Sequence, residues 1–244
     1  MQLSDITNRT GIIELLEDKT NTQSATTSSY TRTTKIRDIN NAYAHYLTLA
    51  NQASGRWLAD DTNQVDYPVI TTNIVSSQQD YSFTVDEQGN QILDIYRVEC
   101  FDSAGIAHKL RPFDMQDTEQ ALTEFMKNGG IPVCYDKTAN GLILYPTPNY
   151  SYTNGLKIYY ERTPSYFTVS GTVASDTKKP GIPDIHHEYL ALRPAYQYCL
   201  QKGLSQASSY YNEMIAMESF IKEYYRDRNK DEILQIRTVY SSSQ

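Results

Sequence analysis

Four histidines (His45, His108, His186 and His187), three cysteines (Cys100, Cys134 and Cys199) and two acidic clusters are the residues from which chemistry in this chain would have to be built. His186-His187-Glu188 is the tightest grouping of metal-ligand types. Neighbours in a helix point about 100° apart, so these side chains do not converge on one ion unaided. Packed or solvated side chains are expected there, with His186 and Tyr189 the pair best placed to touch something. Asp60-Asp61-Thr62-Asn63 and Asp114 to Glu119 are the carboxylates a hydrolase would use as acid and base. The first lacks the Gly and closing Glu of a calcium loop. The second sits at the start of an expected helix, where the dipole favours acids. No HExxH, GxSxG, P-loop or GxGxxG string occurs. With no nucleophile, base and oxyanion donor assembled, neither catalysis nor a cofactor or metal is expected.

The three widely spaced cysteines form neither a disulfide framework nor a CxxC site and read as reduced, mostly buried thiols. The sequons at Asn8 and Asn149 mean little without secretion. No apolar run approaches the length of a membrane span and the polar N-terminus does not resemble a signal peptide, so a soluble protein made inside the cell is expected. The 244 residues carry a net charge of −7, which argues against a surface that clamps nucleic acid by neutralising phosphates. An acidic wall would still let DNA slide past. Tyrosine is over-used, at 21 residues against one Trp and six Phe. Its rigid apolar face and polar tip suit contacts between proteins, and it is equally at home in β-strands.

Those residues need elements to hold them. Within Leu3 to Lys19, the short amphipathic stretch Gly11-Ile12-Ile13-Glu14-Leu15-Leu16-Glu17 reads as one weak helix. In Thr20 to Thr34, ten of fifteen residues are Ser or Thr, a composition that alone predicts a mobile linker. Ile36, Ile39, Tyr43, Tyr46 and Ala50 then recur at spacings of three and four, a helix with one buried stripe that Gly55 ends. Strands are predicted at Val65 to Val75, Tyr81 to Val85, Ile92 to Phe101, Ile106 to Leu110, Val133 to Asp136, Leu142 to Tyr145 and Leu156 to Arg162. Hairpin turns fall at Asp102 to Gly105 and Asn140-Gly141. One helix, Pro112 to Lys127, interrupts this series. Ser165 to Pro183 is a connector. Ile185, Tyr189, Leu192, Tyr196 and Cys199 predict a helix capped by Gly203 and bent at Pro194. Ser205 is the expected N-cap of a last helix with the stripe Ala207, Tyr210, Met214, Met217, Ile221 and Tyr224.

The resulting expectation is an α+β protein: a helical bundle formed by N- and C-terminal helices, with an inserted antiparallel β module carrying one helix at the far end of a stalk. Residues 1–34 hold the N-terminal helix and the Thr/Ser-rich segment. The bundle takes 35–56 and 183–230, the β-rich module 57–182, and a C-terminal arm 231–244. Ile233, Leu234, Ile236, Val239 and Tyr240 make that arm too apolar for a free tail, and docking on a partner, as an added strand or in a groove, accounts for it.

Ile39-Asn40-Asn41-Ala42-Tyr43, Gly55-Arg56-Trp57, Asp60-Asp61-Thr62-Asn63, the Pro68 to Asn73 strand, Gln79-Asp80-Tyr81-Ser82-Phe83, Ile92 to Val98 and the Gly130-Ile131-Pro132 to Tyr145-Pro146 hairpin come in a telling order. With the Tyr-rich C-terminal helices, that order resembles tailed-bacteriophage head-to-tail connector proteins. Within these it looks like the adaptor or head completion family, also called tail tubular protein A. The likeness spans roughly residues 32 to 230 and lies in element order and composition. It implies a non-catalytic virion protein of the neck, made in the host bacterial cytoplasm and present as a ring of twelve copies. Its partners would be the portal protein, a tail or nozzle protein, identical neighbours, and double-stranded DNA passing without sequence-specific binding. No membrane is involved. Tyr210, Tyr211, Tyr224 and Tyr225, with the arm residues above, are the expected contacts to portal or neighbour. The other reading is a carbohydrate-binding β module of a phage tail or adhesion protein, with exposed tyrosine platforms.

Overall fold

The computed structural model describes residues 1–23, 30–54, 69–85, 89, 91–113 and 129–228. It is a mixed α+β chain that divides into two compact units. The helical unit holds the described residues of Ile12–Trp57, Val169–Val173 and Ile185–Gln244; the β unit holds those of Met1–Gly11, Leu58–Thr168 and Ala174–Asp184.

Four helices make up the helical unit: α1 (Ile12–Thr20), α2 (Arg32–Ser54), α3 (Tyr189–Lys202) and α4 (Ala207–Arg228). α3 packs on α1, α2 and α4, and α4 also packs on α2. The α2 stripe is buried as its spacing requires, at Ile36, Ile39, Tyr43, Tyr46 and Ala50. α2 begins three residues before the predicted Lys35. Thr31 serves as its N-cap, its Oγ1 accepting the Thr34 amide at 3.3 Å. A buried Lys35 ties α2 back to the end of α1, with Nζ 3.0 Å from Glu17 Oε1 and 2.9 Å from the Thr22 carbonyl. Both ends of the Thr/Ser-rich stretch are thereby built into the unit; residues 24–29 lie outside the described set.

α3 ends as predicted at Gly203, whose φ of 65° is left-handed and whose amide reaches the Cys199 and Leu200 carbonyls. The helix is continuous through Pro194, which falls in its second turn. Ile185 precedes the helix and is exposed, so the stripe starts at Tyr189. α4 begins at Ala207, too late for Ser205 to cap it. The N-terminal helix α1 falls on the amphipathic stretch Gly11 to Glu17 and runs one turn past it. The residues ahead of it lie against residues 176–178 of the β unit, with the Leu3 amide on the Lys178 carbonyl at 2.8 Å and Ser4 bridging Asp176.

Two four-stranded sheets form the β unit. One has the order β1 (Val69–Ile74), β8 (Tyr152–Arg162), β3 (Ile92–Phe101) and β4 (Ala107–Lys109), all antiparallel. The other runs β2 (Asp80–Ser82), β7 (Gly141–Tyr145), β6 (Cys134–Thr138) and β5 (Arg111–Pro112), antiparallel except for β5 beside β6. Their inner faces share one apolar core that includes Ile74, Val98, Cys100, Leu142, Leu144, Leu156 and Ile158. Asp102 to Gly105 turns as predicted, with the Asp102 amide on the Ile106 carbonyl and Gly105 at φ 81°. Gly141 opens β7 where the chain crosses β2: a Cβ there would stand 2.1 Å from the Tyr81 carbonyl oxygen. Pro112, expected to start a helix, belongs to the edge strand β5; residues 114–128 lie outside the described set. The Arg111 and Phe113 amides on either side bond β6, so the position between them faces away and tolerates a residue with no N–H.

Candidate functional site

The densest grouping of polar and titratable side chains lies inside the helical unit. Tyr46, on the buried face of α2, places its hydroxyl 2.5 Å from His186 Nδ1 and 3.1 Å from the Tyr225 hydroxyl of α4. A second chain of bonds runs alongside. His45 Nδ1 is 2.8 Å from the Tyr189 hydroxyl, which donates to Glu218 Oε1 at 2.8 Å, and Arg193 reaches the same carboxylate at 3.4 Å. Helices α2, α3 and α4 are joined by these bonds as well as by apolar contact.

The environment suppresses ionisation here. Burial pushes the hydroxyl of Tyr46 far above its ordinary value, and that of Tyr189 likewise. His186, 1% exposed, is pushed down to about 4 by burial and then by the neighbouring His187. Its Nε2 has no hydrogen-bond partner. His45 is lowered as well, by burial and then by Arg193. His186 is therefore a packed, neutral side chain, and His187 is buried beside it. Among the described residues no group of three His, Cys, Asp or Glu is placed to hold a metal ion. What the grouping does chemically is hold three helices in one register.

The predicted partner-facing residues separate. Tyr210 is half-buried and donates its hydroxyl to the Lys19 carbonyl at 2.9 Å. Tyr225 is 2% exposed and spent on Tyr46, so it has no surface to offer a partner and that expectation is corrected. Tyr211 and Tyr224 are exposed. The α4 stripe turns onto Tyr225 after Ile221, leaving Tyr224 outside, edge-on to the His186 ring at 5.1 Å. The sequence reading missed Ile215 and Phe220, the latter 61% exposed. Their signal was present as apolar residues off the predicted stripe. Ile233, Leu234, Ile236, Val239 and Tyr240 lie outside the described residues, as do Asp60, Asp61 and Asp114 to Glu119.

In the β unit the tyrosines Tyr81, Tyr135, Tyr145 and Tyr160 are buried. They fill the core and cannot serve as exposed platforms for a sugar. Asp102 accepts the amides of Ala104 and Ile106 at 2.9 Å each and lies 3.0 Å from His108 Nε2. The His108 bond first, then the amides, hold its carboxyl below the usual range. This arrangement closes a turn. The cysteines are free thiols; Cys100 and Cys199 are buried, Cys134 is half-buried, and burial raises all three away from reactivity, Cys100 to about 11. No helix among the described residues is long and apolar enough to cross a membrane. No protein-family model matches the chain, and no curated protein matches it.

Proposed function

We propose that the chain is a structural adaptor of a tailed-phage neck: a subunit that forms a ring of twelve copies between the portal and the tail or nozzle protein and lines the channel through which DNA passes. In this reading the N- and C-terminal helices form one bundle, the β module is inserted into it, and the protein has no catalytic task.

One observation supports the reading above the others. α4 has a buried seam of Met214, Ile221 and Tyr225, yet it also exposes apolar side chains on both flanks of that seam. At 100° per residue, Tyr211 and Ile215 fall on one flank, and Phe220 and Tyr224 on the opposite one. A monomer needs neither patch. A subunit of a closed ring meets two like neighbours through two different surfaces, which is what a helix with two separate apolar flanks provides. The net charge of −7 fits a channel wall that repels passing DNA instead of holding it.

The test is an image of the intact particle's neck at side-chain resolution. The reading predicts a ring below the portal into which this chain traces, with Tyr211 and Phe220 at contacts to different neighbours. A neck in which this chain is absent would overturn it.

A further inference from the structure

Among the described residues β4 is the outer strand of its sheet, bonded to β3 alone. The register fixes which backbone groups face outward. The Asp102 amide bonds the Ile106 carbonyl and the Leu110 amide bonds the Val98 carbonyl, so by the alternation of an antiparallel ladder the amides and carbonyls of Ala107 and Lys109 point away from β3. They face a groove of about 490 Å³ lined by Ala107, His108, Lys109 and Arg111 on one wall and by 131–134 on the other. At its end the chain crosses into the second sheet, where the Arg111 amide already bonds the Val133 carbonyl. The groove therefore occupies the place of a next strand.

Two further features define what would fit. Ile131 and Val133 are 41% and 51% exposed and make the far wall apolar. Lys109 and Arg111 are exposed and form no ion pair among the described residues, in a chain whose net charge is −7. Being two apart on an extended segment, they share a face. Of the acids near them, Glu99 stands opposite Lys109 in the ladder and pairs with Arg97, and Asp102 is engaged by His108 and two amides.

We propose that this groove is a docking site for an extended, acidic peptide segment of a partner protein, which adds to the edge of β4 as a strand. Its backbone meets the free groups of Ala107 and Lys109; acidic side chains two apart meet Lys109 and Arg111; the alternate, apolar side chains rest on Ile131 and Val133. Nucleic acid fits less well, because a sugar-phosphate backbone makes no use of the apolar wall or the ladder groups. The site is independent of the ring reading and stands or falls separately from it.

The probe is a fluorescein-labelled octapeptide of alternating glutamate and valine, titrated with the full chain and read by anisotropy. Saturable binding is expected, weakened about tenfold or more in Lys109→Glu/Arg111→Glu, a variant whose melting curve should match the parent's because neither side chain is paired. The same peptide N-methylated at alternate residues keeps its charges but loses its ladder bonds, and should weaken comparably. Undiminished binding of the methylated peptide, absence of binding up to about 1 mM, or full displacement by a short DNA duplex would each overturn strand addition.

Discussion

Replacing His186 with asparagine should flatten the acid sensitivity of the helical unit. The ring is 1% exposed, with Nδ1 against the Tyr46 hydroxyl and Nε2 unpartnered, and its pKa falls from 6.5 to about 4 on folding. Between those values the unfolded chain binds a proton on this ring and the folded chain does not. Stability from this group is therefore complete above pH 6.5, declines as the pH drops, and is gone near pH 4. Integrated over that window the loss is about 3 kcal/mol, a large part of a typical domain's stability. Asparagine can offer Tyr46 a polar atom near the position of Nδ1 but cannot titrate. Urea unfolding followed by circular dichroism at the helical band, at several pH values between 7.5 and 4.5, gives the comparison. The variant will start lower at pH 7.5 for lack of the ring. The gap should then close by about 3 kcal/mol on acidification. His45 shifts in the same direction but is present in both proteins and cancels. Parallel pH profiles would refute the reasoning.

Three other outcomes follow from the packing. Lys35→Met leaves the Glu17 carboxylate and the Thr22 carbonyl without their shared cation and should cost about 3 kcal/mol in chemical denaturation, with Lys35→Met/Glu17→Leu recovering part of it. Gly141→Ala forces a methyl to within 2.1 Å of the Tyr81 carbonyl unless β2 moves, so about 2 kcal/mol or more should be lost in a thermal melt. An unchanged melting temperature would show that β2 yields freely. Removing residues 231–244 should leave the melting curve of the remainder nearly unchanged and abolish assembly on the portal; normal assembly would show that the arm is not the tether.

The stripe of α2 was legible because its apolar residues repeat over four turns with one consistent face. The α4 seam was legible only to Ile221, since Tyr224 and Tyr225 fit a helical period equally well and the choice is made by Tyr46 on another helix. Pro112 carries the same sequence signal at the first turn of a helix and at an outward-facing position of an edge strand, and only the pairing of its neighbours with β6 separates the two. The place of Leu3 was not legible because its partner, Lys178, is far away in sequence, beyond any periodicity. The site was legible as residue types: an excess of tyrosine, and His186 with Tyr189 as the pair best placed to touch something. Which tyrosines face a partner was not, since exposure depends on how the seams meet.

The central claim, that this chain works by being packed against other proteins, meets its most direct test in native mass spectrometry of the chain mixed with the portal ring proposed as its partner. The account predicts one dominant species carrying twelve copies of the chain per twelvefold portal, lost when Tyr211 and Phe220 are both changed to serine. A portal ring that emerges bare, with the chain present only as monomer, would contradict it.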